Sequence, residues 1–202
     1  MSLWSFALLS LALAISPGPD NLYVLAQSMK HGFKTGLWII LGLITGCLIH
    51  TTLLALGFSA LIDAWPAILL VFRIFGGGYL LYLAYRIALS SPYLVLDQAA
   101  EFNQSRAWFQ KGFILNVSNP KVFLFFVALF PGFLWDKQDH TVFQFYVLGL
   151  IFMLSTAIVF SFVAFLAARL GRILMSKTKF WVVFHWLQVL LFVGLAVYIF
   201  LP

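Results

Sequence analysis

Long apolar runs separated by short polar segments dominate the sequence. Six such runs are bounded by charged residues, glycine or proline: Leu3–Met29, Gly36–Ile62, Trp65–Leu89, Gly112–Trp135, Val142–Ala168 and Phe180–Leu201. A helix that crosses a bilayer needs about 20 mostly apolar residues. The pattern therefore predicts an all-α integral membrane protein with six transmembrane helices, forming a single membrane domain over residues 1–202.

Two of the six runs carry polar interruptions that predict broken helices. The interruptions are Ser16-Pro17-Gly18-Pro19-Asp20-Asn21 in the first run, and Asn116 with Ser118-Asn119-Pro120-Lys121 in the fourth. Proline removes a backbone N–H and blocks the carbonyl one turn earlier, and in lipid the freed groups need other partners. We expect one half-helix to end near Ile15 and the next to begin at Pro19. Its N-terminal N–H groups would favour an anion such as a carboxylate.

The two breaks predict an internal repeat. Pro19 and Pro120 stand 101 positions apart in a chain of 202 residues, and each is followed by a charged residue. Three spans in each half would make the second half enter the membrane in the opposite direction, as in many secondary transporters. We expect one repeat at about 1–100 and an inverted one at about 101–202. The alternative is a chance alignment of two proline-containing helices.

The basic residues predict the orientation. They lie in the first, third and fifth loops, whereas the second has only Asp63 and the fourth mixes Lys137 with Asp136 and Asp139. The basic loops carry Lys30, Lys34, Arg106, Lys111, Arg169, Arg172, Lys177 and Lys179. Because cytoplasmic loops are enriched in Lys and Arg, both termini are expected outside. The segment Ala12-Leu13-Ala14 resembles a signal-peptide cleavage site, but no basic residue precedes it, and we expect an uncleaved span.

Composition excludes a soluble protein. The chain is 63% hydrophobic and 9% charged, against about 45–50% and about 25% in soluble domains, and its mean hydropathy is +1.04. The net charge of +6 is explained by cytoplasmic loops, so no nucleic-acid partner is expected. No catalytic or ATP-binding motif occurs, and we expect neither a cofactor nor a metal. The expected partners are the lipid bilayer and a small molecule, and a homo-oligomer is an open alternative.

Few ionisable residues fall within the spans, and such residues are functional candidates. Asp20 could bind an ammonium group or take up a proton, and Lys121 could bind a carboxylate; alternatively, the two form a salt bridge that locks the halves together. Arg73 is a further candidate; alternatively it has a structural role, with its long side chain extending to the outer interface. His50 follows Gly42 and Gly46 at four-residue spacing on one helix face. The favoured interpretation of this face is close packing of helices, and the alternative is that His50 carries a proton.

The motifs together resemble the LysE/RhtB family of amino-acid exporters. The resemblance rests on the first break, on His50 with its preceding glycines, on Arg73 and Gly76-Gly77-Gly78-Tyr79-Leu80, and on the Asn116–Lys121 region closing with Phe130-Pro131-Gly132-Phe133. Gly132 departs from the glutamine expected there. In the first two thirds of the chain the resemblance rests on distinct motifs, and in the last third it rests on hydropathy only.

This resemblance implies export of amino acids or close derivatives across the bacterial inner membrane, with protons as the exchanged ion. The runner-up is a non-transporting membrane scaffold or assembly subunit. The residues expected to bind substrate or couple transport are Pro17, Gly18, Pro19, Asp20, Asn21, Asn116, Asn119, Pro120, Lys121, His50, Arg73 and Tyr79.

Overall fold

The computed structural model describes residues 2–16, 18–64, 68–91, 105–136, 139–175 and 178–200, and within these ranges all regular structure is helical. The helices are α1 (Leu3–Ile15), α2 (Pro19–His31), α3 (Phe33–Ala64), α4 (Ile68–Ala88), α5 (Ser105–Val117), α6 (Pro120–Leu129), α7 (Thr141–Met175) and α8 (Thr178–Phe200), with a short 3-10 turn at Phe130–Phe133. The expectation of an all-α fold is therefore confirmed for the described residues.

The described residues contain three to five candidate membrane spans. Segments of α3, α7 and α8 are each long and apolar enough to cross a bilayer alone. The pairs α1–α2 and α5–α6 qualify when each is taken as one span, and both are bent by more than 40° at the break. These bends lie where the prolines predicted them, with helices beginning at Pro19 and Pro120.

The start of the fourth hydrophobic element differs from the sequence prediction. The run was expected to begin at Gly112, after a polar connector, but α5 already begins at Ser105. The reason is that a helix can continue past the apolar stretch when its extra turns pack against protein. Trp108 lies in this extension and is buried, in one hydrophobic cluster with Ile39, Ile40 and Leu43 of α3.

Close backbone contact joins α3 to α5. A Cβ atom built on Gly42 would collide with the carbonyl oxygen of Phe109, and one built on Gly112 would collide with that of Ile39. Glycine at both positions lets the helices touch through their backbones. The contact places Gly46 against the side chain of Asn116, so it also fixes the second break beside α3.

In the remaining contacts, helices of the first half of the chain pack against helices of the second half. Helix α3 packs against α5, and α7 packs against both α1 and α2. Helices α3 and α7 contact each other, as do α4 and α8. The broken helices thereby pack against long helices, and one hydrophobic cluster is rich in phenylalanine, including Phe6, Phe126 and Phe130.

Candidate functional site

The two helix breaks meet around Asp20. This residue is the second in α2, directly after Pro19, and its side chain is buried. Its carboxylate accepts a hydrogen bond from Nδ2 of Asn119 at 3.0 Å and one from Nδ2 of Asn116 at 3.4 Å. The only acid that the sequence placed within a span is thus held by two amides of the opposite half.

Asn119 serves both breaks at once. Its side-chain oxygen Oδ1 accepts a hydrogen bond from the backbone N–H of Lys121 at 3.0 Å, which caps the N-terminus of α6. Asparagine is a preferred residue at this position because its oxygen satisfies one of the free N–H groups of a helix start. With the oxygen engaged in the cap, the amide nitrogen is directed to Asp20.

Asn21 holds the first break together. Its Nδ2 donates to the carbonyl oxygen of Ala14 at 2.7 Å and to that of Ser16 at 3.4 Å. These carbonyls lie at the C-terminal end of α1, where the helix stops and the next turn no longer supplies their usual backbone donors. The amide therefore replaces backbone hydrogen bonds that a continuous helix would have made.

Lys121 lies across the break from Gly18. A Cβ atom built on Gly18 would stand 3.0 Å from Nζ of Lys121, and Nζ lies 4.7 Å from the ring centroid of Phe192. Lys121 is near enough to Asp20 for their charges to interact. The Asp20 carboxylate is also hydrogen-bonded to the two amides of Asn116 and Asn119.

His50 stands next to this centre. Its Nε2 lies 3.0 Å from the backbone oxygen of Asn116, and its ring contacts Phe123 and Phe126 at centroid distances of 5.8 and 6.0 Å. His50 therefore touches the second break through its backbone, one layer away from Asp20. Pro17 and the side chain of Arg73 lie outside the described residues, so their expected roles stay predictions.

Two cavities adjoin the breaks. A small one of about 50 Å³ lies between them, with room for a few water-sized groups. Its lining includes residues of both breaks, Cys47 of α3 and Thr156 of α7; the break residues are Ser16, Gly18, Asp20, Asn21, Asn116, Asn119 and Lys121. The polar groups of the two halves thus converge on one space.

The second cavity, which we call the vestibule, has a volume of about 510 Å³. Gly18, Asn119, Lys121 and Phe192 line both cavities and form the boundary between them. The rest of the vestibule wall is largely apolar and includes Pro19, Leu22, Tyr79, Leu83, Ile87, Pro120, Trp181 and Phe184. Tyr79, Pro19 and Pro120, which were expected at the site, lie in this wall.

Several further polar residues at the cavities were missed by the sequence reasoning. His185 and Gln188 of α8 are buried and line the vestibule. Thr156 of α7 lines the small cavity. Their signal was available in part, since His185 and Gln188 are three apart on an otherwise apolar helix and so share one face.

The unusual Gly132 lies in the 3-10 turn and is exposed. Nothing comes within 4 Å of a Cβ built on it. Space at this position would therefore also accommodate the larger residue that the resemblance led us to expect.

Comparison with known sequences identifies the family. The sequence profile described as LysE type translocator matches residues 11–201. The chain belongs to the LysE type translocator family. As a translocator it is a multi-pass membrane transport protein and not an enzyme, and the scaffold alternative receives no support.

Individual relatives agree with this assignment. The translocator is 31% identical to an uncharacterized membrane protein of Pseudomonas aeruginosa over 83% of this chain and 80% of the relative. It is 29% identical to the leucine efflux proteins of Salmonella choleraesuis and Salmonella paratyphi A, over 97% of this chain and 93% of each relative. No solved structure matches it.

Proposed function

We propose that this translocator exports an amino acid or a close derivative across the bacterial inner membrane in exchange for protons. The observation that carries the proposal is the small cavity, where a buried acid (Asp20) and a half-buried base (Lys121) from opposite helix breaks face the same space. A zwitterion carries the complementary pair of charges. Likeness to leucine efflux proteins over nearly the whole chain supports an amino acid as the substrate.

The proposed topology has six spans in two inverted repeats, at about 1–100 and about 101–202, within one membrane domain. Two broken elements whose prolines stand 101 positions apart support it, as does the reciprocal packing of α3 on α5 and of α7 on α1 and α2. Helix α4, with 21 residues, has the length of the remaining span. In this arrangement both termini are periplasmic.

The site is proposed to comprise residues from both breaks and from the surrounding helices. The assigned residues are Pro17, Gly18, Pro19, Asp20, Asn21, Asn116, Asn119, Pro120, Lys121, His50, Arg73 and Tyr79. Lys121 is assigned to the substrate carboxylate and Asp20 to coupling. Asp20 is favoured because it is the buried acid at the cavity, while His50 stands one layer away.

The vestibule is the proposed entrance from the cytoplasm. It is lined by Ser90 and Ser91, which follow α4, and by Trp181 near the start of α8. These positions adjoin the third and fifth loops, which hold most of the basic loop residues, and basic loops face the cytoplasm. Substrate entering here would reach Lys121 first.

The opposite end is the proposed outer gate, formed by phenylalanines. Phe126 and Phe130 are stacked with ring centroids 4.1 Å apart, and Phe6 meets Phe130 edge-on at 5.1 Å. Phe152 contacts Phe126 at 5.0 Å and also lines the small cavity. Since Phe6 is near the N-terminus and Phe130 near the fourth loop, this cluster separates the cavity from the periplasmic side in the proposed topology.

Exchange requires that proton and substrate affect each other's binding. A substrate that engages Lys121 changes the charge next to Asp20, and a proton on Asp20 changes the charge next to Lys121. Each ligand therefore alters the other's free energy at the site. An imposed proton gradient can then drive substrate uphill, provided that the two ligands favour different states of the protein.

The test is a competition uptake screen in inverted membrane vesicles, with and without an imposed pH gradient. Zwitterionic amino acids should be accumulated when the vesicle interior is acidic, and accumulation should stop when the gradient is collapsed. Vesicles that accumulate no amino acid under any gradient would contradict the proposed substrate class. Accumulation that is indifferent to the gradient would contradict proton coupling alone.

A further inference from the structure

Four buried oxygen atoms without a hydrogen-bond partner lie around the small cavity. They are Ser16 Oγ, Asn21 Oδ1, Asn116 Oδ1 and Thr156 Oγ1, and no partner is found for them among the described atoms. The four residues are 6%, 6%, 3% and 4% exposed, respectively. Burying a polar atom without a partner is unfavourable, so four such atoms around one small space indicate a group that binds there.

The two asparagine oxygens are fixed as acceptors. Nδ2 of Asn21 donates to the carbonyl oxygens of Ala14 and Ser16, and Nδ2 of Asn116 donates to the carboxylate of Asp20. Carbonyl and carboxylate oxygens only accept. Neither amide can therefore be turned over without losing its hydrogen bonds, and both Oδ1 atoms remain available for a donor.

The cavity is consequently rich in acceptors and carries the negative charge of Asp20. The complementary group has several N–H donors and a positive charge. A primary ammonium has three donors and no acceptor. At about 50 Å³, the cavity admits a group of this size and leaves the rest of the substrate to the vestibule.

We propose that this small cavity binds the α-ammonium group of the substrate, with Ser16 and Thr156 as binding residues in addition to Asp20, Asn21 and Asn116. The inference rests on the proposed amino-acid export. Thr156 lies on α7, outside both broken helices. The apolar vestibule wall then receives the side chain.

Lys121 favours an ammonium group over a metal ion as the occupant. Lys121 lines the same cavity, and its positive charge would repel a bare cation. An α-amino acid brings its own carboxylate next to its ammonium group, and this carboxylate faces Lys121. A sodium ion brings no such counter-charge.

Binding at this cavity also gives a direct basis for exchange. The substrate ammonium and the coupling proton would both neutralise Asp20, and one carboxylate cannot be neutralised fully by both. The occupants exclude each other, so release of substrate on one side is followed by binding of a proton before the return step.

The experiment measures competition for transport by pairs of compounds that differ only in the amino group. Leucine, valine and methionine are each compared with the carboxylic acid that lacks the amino group, such as 4-methylpentanoate for leucine. Wild-type vesicles should be inhibited by the amino acids, with the deaminated acids at least about a hundredfold weaker, because a site built for N–H donors rejects analogues lacking them. The assay is run with and without Na⁺.

The matched variants are Thr156→Val and Thr51→Val. Both replace a buried threonine by an isosteric residue, but Thr51 lies outside the cavity and its hydroxyl already donates to the backbone oxygen of Cys47 at 2.9 Å. Thr156→Val should weaken amino-acid competition about tenfold without lowering the melting temperature of the substrate-free protein, since it removes an unpartnered hydroxyl. Thr51→Val should leave competition unchanged, and Ser16→Ala should reproduce the effect of Thr156→Val.

The outcomes separate this inference from the function on which it rests. If wild-type vesicles respond to no amino acid, the proposed substrate class is wrong. If amino acids and deaminated acids inhibit wild-type vesicles equally, the ammonium assignment is wrong and the export proposal stands. The same holds if amino acids inhibit Thr156→Val vesicles as strongly as wild-type vesicles. Deaminated acids could also compete in wild type only when Na⁺ is present, with this Na⁺ dependence lost in Thr156→Val. That result would assign the cavity to the metal ion and overturn the inference.

Discussion

Asn119 donates a 3.0 Å hydrogen bond to Asp20 across a sequence separation of 99 residues. The same side chain caps the helix that carries Lys121. The acid of the first half and the helix start of the second half are therefore positioned by one amide. A displacement of either break therefore changes the position of the groups at the other.

Replacing Asn119 by alanine should destabilise the protein. The change removes an N-cap, which costs about 1 kcal/mol, and a hydrogen bond to a charged group, which costs about 1.5–3 kcal/mol. Asn116→Ala removes only the longer 3.4 Å contact to Asp20 and should cost less. Thermal unfolding of the purified variants checks this order, and equal melting temperatures for Asn119→Ala and wild type would contradict the described capping.

Asp20→Asn should abolish proton-driven accumulation while substrate exchange continues slowly. An asparagine keeps one acceptor oxygen for Asn119 or Asn116, so the break can persist without a titrating group. Uptake under a pH gradient and counterflow without one measure the two activities. Asp139→Asn, at an exposed acid in the fourth loop, is the control and should behave as wild type; uphill transport by Asp20→Asn would transfer the coupling role to His50.

Lys121→Met should weaken substrate binding itself. Methionine is unbranched and only one heavy atom shorter than lysine, but it has no charge for a carboxylate. We expect the half-saturating concentration to rise by about tenfold or more, in exchange as well as in driven uptake. If Lys121→Met and Asp20→Asn both fail to reach the membrane, the two residues are structural.

Gly18→Ala should act on transport through Lys121. The backbone at Gly18 is extended, with φ at −156°, so alanine is not strained there. Its Cβ would stand 3.0 Å from Nζ of Lys121 and displace the ammonium group, which should raise the half-saturating concentration several-fold. Gly194→Ala, where nothing lies within 4 Å of the added Cβ, is the control; identical transport by the two variants would contradict the role of this contact.

Phe130→Ala should open the small cavity to the periplasmic side. Cys47, the single cysteine of the sequence, lines this cavity and is buried, so it reports access directly. A membrane-impermeant thiol reagent added outside should label Cys47 faster in Phe130→Ala than in wild type. Phe143→Ala, at an exposed position on α7, should label like wild type, and equal labelling of all three proteins would place the gate elsewhere.

The helix breaks could be predicted from the sequence because their cause is local. Proline removes a donor wherever it occurs, and so the end of α1 near Ile15 and the start of α2 at Pro19 could be predicted. The start of α5 was not, because the burial of Trp108 against α3 depends on how two distant helices pack. Hydropathy alone cannot register that contact.

The site was predictable only as far as its residues lie in the breaks. Asp20, Asn116 and Asn119 are next to prolines, and an ionisable or amide group in a span is conspicuous. Thr156 has no such mark, since a threonine in an apolar helix usually bonds to its own backbone. Its importance follows from its position opposite both breaks, which only the three-dimensional packing supplies.

The backbone contact of Gly42 with α5 restricts how the protein can move. At this contact the two backbones touch directly, with no side chain between them that could change rotamer and let one helix slide past the other. We expect α3 and α5 to travel as one rigid body throughout the transport cycle. The seams packed by phenylalanine side chains, which can rotate and reseat, are then where the hinge motion takes place.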